Sequence, residues 1–240
     1  MRILDILDKK WYGGLYHLHN TTDTWNQWLN EFEEKYAYPP EVVEKLSKIV
    51  VDNQSYIVNK NVIDLACNLG YVSLACSALG AASVLGVEAR KEYIDSFYKV
   101  YPHWPKKNIT MEVGDILDWK RLESSLKGIE TIIYSGHWYH TDQQEKILEI
   151  FSNSDSSCII LESVNPFHDI IGHFDDVDNP LNGYGNKTEK FIPVRSFGLA
   201  TTIKMLESKK WNIQKQSITT TCSPQRFTIV ATKFEKHSVK

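Results

Sequence analysis

The chain has 240 residues, of which 42% are hydrophobic and 24% charged, and its formal net charge is −3. This is the composition of an ordinary globular protein, and the acidic balance argues against a strong overall attraction to nucleic acid. The four cysteines are scattered without a CxxC pair, and no stretch approaches the roughly 18 apolar residues of a membrane span. We therefore expect no zinc site, no membrane segment and a cytoplasmic location.

Residues 1–58 show no strand alternation and are predicted to form an N-terminal helical cap. One helix is expected over about residues 25–35, and Pro39 ends it. A second helix is expected from Pro40 to about Val51, where apolar residues recur at helical spacing.

From Asn61 the chain alternates between short apolar strands and helices. The predicted strands span 62–65, 83–87, 109–113, 130–134 and 158–161, and the predicted helices span 71–79, 91–101, 119–126 and 142–151. Strands that alternate with helices form a parallel sheet through right-handed crossovers.

Residues 165–195 depart from this alternation, because they are rich in Gly, Asn, Asp and His and show no clear periodicity. We predict an inserted substrate loop or lid, since structureless segments of this length are usually functional. A helix over 196–209 follows, and then two β-rich runs at 211–218 and 226–233. Their connection is too short for a parallel crossover, so these runs are predicted to form an antiparallel hairpin.

These elements predict an α/β fold: a Rossmann-like, doubly wound sheet of seven strands, five parallel strands plus a C-terminal antiparallel hairpin. The main domain would cover residues 59–240 and follow the cap of residues 1–58. A dinucleotide-binding domain would normally continue with a further parallel strand instead of the hairpin.

The most informative motif joins the first two strands. The segment Val62-Ile-Asp-Leu-Ala-Cys-Asn-Leu-Gly-Tyr71 is predicted to form strand, tight turn and helix, and Gly86-Val-Glu88 ends the next strand on a carboxylate. Open α/β sheets bind nucleosides this way: backbone approaches the ligand at the turn, and an acid about 20 residues later meets the ribose hydroxyls. The small positions of the turn are Ala66, Asn68 and Gly70, and only glycine is fully permissive at positive φ.

The stretch from Val62 to Leu74 resembles the first motif of the class I, seven-stranded S-adenosylmethionine-dependent methyltransferases, and its part from Asn68 is similar to FkbM-type O-methyltransferases. A second stretch, Ser135-Gly-His-Trp-Tyr-His140, is similar to the Gly-x-x-Tyr-His motif of the tRNA wobble-uridine carboxymethyltransferase family. The general resemblance extends over about residues 60–235. It implies S-adenosyl-L-methionine as the cofactor and S-adenosyl-L-homocysteine as the product.

The resemblance also implies a set of cofactor-binding residues. They are Asp64, Ala66, Cys67, Asn68, Gly70, Glu88, Ala89, Gly114, Asp115, Ile116, Ser135 and Gly136. Glu88 would accept the ribose hydroxyls, and Asp115 would either accept the adenine amino group or cap a helix. Asp64 would hold the methionine ammonium or only order the turn. Arg90 would either line the adenosine pocket or be a solvated surface residue.

The predicted catalytic residues are His137, Tyr139 and His140, after the fourth strand. This position has neither the Asn/Asp-Pro-Pro-Tyr/Phe motif of DNA amino-methyltransferases nor a cysteine, which disfavours base N-methylation and covalent pyrimidine C5 chemistry. Transfer to a hydroxyl needs alignment and a base, and histidine titrates in the right range. We predict His137 or His140 as the base, and the carboxymethyltransferase resemblance implies that Tyr139 orders cofactor or acceptor.

A polar cluster in the insertion raises the question of a metal site. It consists of His168, Asp169, His173, Asp175, Asp176 and Asp178. Acids clustered in a loop are usually solvated, so we expect no metal. Arg195 is either a contact for an anionic acceptor or a surface residue.

The sequence therefore predicts an S-adenosylmethionine-dependent methyltransferase that acts on a hydroxyl of a small-molecule acceptor. A rival interpretation is an enzyme that modifies a uridine in tRNA or another RNA, which the acidic net charge disfavours. A carboxymethylated donor would also need a cation facing its extra carboxylate, and no residue stands out for that role. The sequence also allows a cofactor-binding pseudoenzyme or a nicotinamide oxidoreductase. It leaves the oligomeric state open.

Overall fold

The computed structural model describes residues 40–100, 108–164, 166–175, 191–219 and 225–233. The helix predicted near residues 25–35 lies outside these ranges, as does the middle of the 165–195 segment. Helices α1 to α6 span Pro40–Ile49, Tyr71–Leu79, Lys91–Val100, Trp119–Ser125, Gln144–Asn153 and Leu199–Ser208. Strands β1 to β9 span Asn61–Leu65, Ser83–Glu88, Ile109–Val113, Thr131–Ser135, Cys158–Val164, Ile170–Asp175, Phe191–Ser196, Trp211–Ile218 and Arg226–Lys233. No helix within the described ranges is long and apolar enough to cross a bilayer.

Seven strands form one sheet in the order β3-β2-β1-β4-β5-β9-β8. Strands β1 to β5 pair in parallel, and β9 pairs antiparallel with both β5 and β8. This arrangement confirms the predicted five parallel strands and C-terminal antiparallel hairpin. The strand order reverses between β1 and β4, and in such sheets ligands bind in the crevice at the carboxyl ends of the two strands.

Apolar side chains cover the sheet on both faces. One face packs against α1, α2 and α3 through residues such as Ile49, Leu74 and Phe97. The other face packs against α4, α5 and α6 through residues such as Leu148 and Leu206. The sheet is therefore doubly wound, as predicted, and α1 shares a core with the strands.

The insertion contains regular structure that the sequence did not predict. Strands β6 and β7 form a separate antiparallel pair, in which Ile170 pairs with Ser196. Gly172 and Pro193 lie inside these strands and hide the strand pattern, because glycine has no side chain to pack and proline cannot donate a hydrogen bond. The prediction of a structureless stretch was therefore wrong at both ends of residues 165–195, and α6 begins later than expected because Ser196 ends β7. The role of the insertion as a substrate loop or lid stays a prediction.

Candidate active site

A cavity of about 140 Å³ lies at the carboxyl ends of β1 and β4. The turn after β1 forms one wall, and residues 135–140, hereafter the histidine turn, form another. The lining residues are Lys45, Asp64, Ala66, Cys67, Asn68, Tyr71, Val72, Arg90, Ser135, Gly136, His137, Tyr139, His140 and Arg226. The structure thus brings together much of the predicted turn and all three predicted catalytic residues.

The turn after β1 places three residues in the left-handed region, with φ of 55° at Ala66, 55° at Asn68 and 78° at Gly70. Ala66 and Asn68 line the cavity, but Gly70 does not. A Cβ at Gly70 would come within 2.7 Å of Met111 Cε and 2.8 Å of Phe97 Cδ2. Gly70 is therefore needed for close packing against β3 and α3. Of the three residues predicted to contact a ligand, Ala66 and Asn68 are the two that face the cavity.

Asp64 is a buried carboxyl group in the cavity wall. Ser73 Oγ donates a hydrogen bond to its Oδ2 at 2.6 Å. Burial raises the pKa of Asp64 to about 7, although this hydrogen bond and the charge of Lys45 act in the opposite direction. Near neutral pH the group can therefore lose its proton when a cation binds beside it. Burial also raises the pKa of the neighbouring Cys67, which keeps it a thiol.

Glu88, the residue predicted to accept the ribose hydroxyls, is fully buried, and both of its carboxylate oxygens accept hydrogen bonds from the protein. Its Oε2 accepts from the Asn68 amide at 2.9 Å, and its Oε1 accepts from the Arg90 amide at 3.1 Å and from Arg90 Nε at 2.8 Å. The guanidinium of Arg90 also lies over the Tyr93 ring, 3.8 Å from its centroid. Arg90 lines the cavity and Glu88 does not. Contact between Glu88 and a ribose therefore requires the Arg90 side chain to move.

The structure does not bring the predicted adenine-binding residues into the cavity wall. Asp115 Oδ1 accepts from the backbone amide two residues later at 2.8 Å and orders the turn before α4. Ile116 is buried in the core. A Cβ at Gly114 would lie 2.6 Å from Arg121 Nε, so this glycine makes room for that side chain. Ala89 also lies outside the lining.

A buried ion cluster that the sequence did not predict borders the cavity. Arg226 Nη1 lies 2.7 Å from Glu162 Oε1, and Lys45 Nζ lies 3.7 Å from Glu162 Oε2. Ser135 Oγ donates to the same carboxylate at 3.0 Å, and Arg226 Nη2 donates to the Tyr139 hydroxyl at 3.5 Å. Two cations thus share one carboxylate, which leaves one surplus positive charge beside Tyr139.

All three charged groups of this cluster are ionised at neutral pH. Burial, the largest single influence, would by itself lower the pKa of Lys45 and of Arg226, but the Glu162 carboxylate and the nearby tyrosine hydroxyls together outweigh it and raise both. Burial by itself would raise the pKa of Glu162, and the two cations together hold it below its usual value. A buried pair of this kind is stable only while both charges are present.

Sequence reasoning missed this cluster because its members come from α1, β5 and β9. Among the three charged residues, Glu162 is the one whose local sequence indicates burial, because it continues the apolar strand Cys-Ile-Ile-Leu at residues 158–161. An ionised group in a strand buried on both faces needs a partner. The sequence does not say which cation supplies it.

The histidine turn presents both imidazoles in their neutral form. Burial, His140 and Arg90 lower the pKa of His137 to about 3, and burial, Arg226 and Arg90 lower that of His140 to about 4. The Tyr134 hydroxyl lies 2.7 Å from His137 Nδ1. A neutral His137 can accept a proton at Nε2 only when Nδ1 carries the hydrogen and donates it to Tyr134. The Tyr134 hydroxyl, which the sequence did not single out, can donate or accept this hydrogen bond, so the contact orients the imidazole and is compatible with either tautomer.

Ser135 and Gly136, both predicted cofactor residues, line the cavity next to the ion cluster. Gly136 has a φ of 76°, and a Cβ there would lie 3.7 Å from Lys45 Nζ. Its amide donates to the backbone carbonyl of Glu162 at 3.3 Å. This bend joins the histidine turn to the end of β5.

Within the described ranges, no group of His, Cys, Asp and Glu side chains could hold a metal ion. Asp169 instead caps α6, because its Oδ1 accepts from the Gly198 amide at 2.7 Å and its Oδ2 from Thr201 Oγ1 at 2.8 Å. Asp176 and Asp178 lie outside the described residues, as do the side chains of His173 and Asp175. The side chain of Arg195 is exposed.

Comparison with solved structures identifies the fold as that of the S-adenosylmethionine-dependent methyltransferases. Magnesium protoporphyrin IX methyltransferase (ChlM) from Synechocystis PCC 6803 is 14% identical with a TM-score of 0.58, and the match covers 94% of this chain and 100% of that chain. The N-terminal domain of EvdMO1 is 16% identical with a TM-score of 0.56, covering 78% and 79%. A methyltransferase from Mesorhizobium loti is 12% identical with a TM-score of 0.54, covering 74% and 93%. No family model and no curated protein sequence matches the chain.

Proposed function

We propose that this protein is an S-adenosylmethionine-dependent methyltransferase that transfers a methyl group to a hydroxyl of a small molecule. The observation that carries the proposal is that the turn after β1 and the histidine turn line one cavity, at the point where the strand order reverses. The S-adenosylhomocysteine bound in ChlM and in EvdMO1 supports the choice of cofactor.

The charges around the cavity fit this cofactor. Its ammonium and sulfonium groups are cations, and they would stabilise the ionised form of Asp64, whose pKa is about 7 without them. Ala66 and Asn68 would offer their backbone to the ligand. Glu88 would hold the ribose after Arg90 has moved.

His137 is the residue we assign to the hydroxyl proton. A sulfonium is a good leaving group, so the site needs to align the acceptor oxygen with the methyl carbon and to remove one proton. With a pKa of about 3, His137 is a weak base that stays neutral at every pH above about 4. Alignment rather than proton removal would therefore supply most of the rate, and mild acid would not inactivate this group.

Calorimetry tests the cofactor, and formation of S-adenosylhomocysteine with a panel of hydroxylated compounds and amines tests the acceptor. We expect both S-adenosylmethionine and S-adenosylhomocysteine to bind, and Glu88→Ala to weaken binding about tenfold because buried polar groups lose their partner. Glu92→Ala, an exposed glutamate on α3, is the matched control and should bind normally. Absence of binding by the wild-type chain would reject both the methyltransferase and a cofactor-binding pseudoenzyme, and would leave only a scaffold. Turnover with amines alone would reject the hydroxyl acceptor.

One observation favours a second candidate, a transferase that moves a carboxymethyl group to a uridine of RNA. Its donor carries an extra carboxylate, which needs a cation. Lys45 and Arg226 lie in the cavity wall with one surplus positive charge, next to the Tyr139 hydroxyl. Hydrogen bonds from these groups to a carboxylate would be charge-assisted and strong.

Competition between S-adenosylmethionine and its S-carboxymethyl counterpart separates the two candidates. The second candidate requires a preference of about tenfold or more for the carboxylated donor, the worth of one charge-assisted contact, and Arg226→Met should abolish it. Arg121→Met is the control, since Arg121 is a half-exposed arginine outside the cavity wall. A preference for S-adenosylmethionine in the wild-type chain would eliminate the second candidate.

A further inference from the structure

We propose that Gln144 is a positioning residue that makes the histidine turn and strand β7 of the insertion move as one unit. This inference rests on the proposed function, because the histidine turn matters only if its side chains act on an acceptor. It assigns the insertion a mechanical connection to the catalytic groups, in addition to any contact with the acceptor.

The amide of Gln144 is the centre of a buried hydrogen-bond network at the start of α5. Only 1% of the residue is exposed. Its Nε2 lies 2.8 Å from the Trp138 carbonyl oxygen, 2.6 Å from the Thr141 carbonyl oxygen and 2.6 Å from the Arg195 carbonyl oxygen. The first of these acceptors lies in the histidine turn, the second directly follows it, and the third belongs to β7. One side-chain amide thus serves backbone groups that lie more than fifty positions apart in the chain.

The backbone of β7 adds a second connection at the same point. The Arg195 amide donates to the Thr141 carbonyl at 3.1 Å, so both backbone polar groups of Arg195 are directed to this junction. The next residue, Ser196, pairs with Ile170 of β6. The junction therefore reaches both strands of the insertion.

The opposite side of the histidine turn is held separately. Trp138 is fully buried, and its Nε1 donates to Thr202 Oγ1 of α6 at 3.2 Å. This contact fixes the indole against the core, whereas Gln144 fixes the backbone that carries Tyr139 and His140. Loss of the amide would leave the Trp138 and Arg195 carbonyl oxygens without this donor, whereas the Thr141 carbonyl would keep the Arg195 amide, and the backbone would open at that point.

Hydrogen exchange of the full chain, followed by mass spectrometry, tests the coupling. In Gln144→Met, which keeps side-chain length but donates nothing, backbone exchange should rise about tenfold in residues 138–141 and in residues 191–196 together, as expected for one opening unit. Gln143→Met is the matched control, because Gln143 is exposed and its Nε2 donates to Asp142 Oδ1 at 2.7 Å, away from the junction. It should exchange like the wild-type chain. Faster exchange in one segment alone, or in neither, would overturn the proposal.

A second measurement separates positioning from general loss of stability. Imidazole ¹⁵N NMR spectra report the tautomers of His137 and His140, which should change in Gln144→Met and stay unchanged in Gln143→Met. If Gln144→Met does not fold, Gln144→Asn is the second variant, because it keeps the amide on a side chain one methylene shorter. Backbone exchange should then rise in both segments together, by less than in Gln144→Met. Unchanged imidazole spectra in a folded variant would refute positioning. Failure of the wild-type chain to bind S-adenosylhomocysteine would reject the proposed function and leave the exchange comparison intact.

Discussion

Replacement of Asp64 by asparagine tests how the cavity responds to a bound cation. In the wild-type chain, burial holds the pKa of this carboxyl at about 7 in place of its ordinary 3.8. Asparagine keeps the shape and can still meet Ser73, but it cannot ionise. The variant therefore removes one titration and little else.

The expected magnitudes follow from this pKa. The folded chain holds the Asp64 proton more tightly than the unfolded chain, so the contribution of this group to stability is greatest below pH 4 and is lost as the pH rises through 7. At 1.36 kcal/mol per pKa unit, the loss from this group is about 4 kcal/mol. A cationic ligand favours the ionised form, so its affinity should rise up to about 50-fold between pH 5 and pH 7 and level off near pH 8.

Calorimetric titration with S-adenosylmethionine at pH 5, 6, 7 and 8, in two buffers of different ionisation enthalpy, measures affinity and proton release together. We expect nearly one proton released at the two lower pH values and almost none at pH 8, with both effects absent in Asp64→Asn. The cavity histidines do not interfere, because their pKa values are about 3 and 4. Binding to the wild-type chain without proton release at pH 6 would refute the reasoning, whether or not the variant folds.

Three further substitutions test the turn, the ion cluster and the histidine turn. Ala66→Gly should raise the free energy of unfolding by about 0.5–1 kcal/mol, because alanine is strained at a φ of 55°; urea titration measures this, and a loss of stability would contradict it. Arg226→Met should lower the free energy of unfolding by about 3 kcal/mol, because the more distant Lys45 is then the one cation of the cluster left beside the Glu162 carboxylate; a change below about 1 kcal/mol would show that the pair is not structurally important. Tyr134→Phe should slow turnover of an identified acceptor about tenfold, because His137 loses the hydrogen bond that orients its ring, with cofactor affinity unchanged; full activity would show that this hydrogen bond does not contribute to the reaction.

The elements that were predicted correctly are those with complete local signals. Helix α2 begins after Gly70 and ends before Gly80, whose φ of 110° turns the chain so that the next amide, that of Ala81, donates to the Cys76 carbonyl at 3.1 Å. The C-terminal hairpin follows from a connection too short for a crossover. In both cases the residues that decide the structure lie within a few positions of one another.

The candidate site was predicted only in part, for the same reason. The turn after β1 and the histidine turn are short motifs, and the sheet brings them together because β1 and β4 are neighbours. Glu88 was expected to face the ligand, but Arg90, two residues later, occupies its carboxylate. Side-chain pairing of this kind depends on rotamers that a linear pattern does not encode.

The amino-acid sequence by itself determined the fold class, the position of the cavity and the nature of the two turns that line it, because hydrophobic periodicity and turn residues act locally. Only the tertiary structure decided the charge of the cavity. Lys45, Glu162 and Arg226 meet across three elements, and an ion pair forms wherever packing removes its members from water, however distant they are in the chain. The two strands of the insertion were likewise decided by tertiary structure. They pair with each other across a long stretch of chain, and Gln144 of α5 contacts the Arg195 carbonyl of β7.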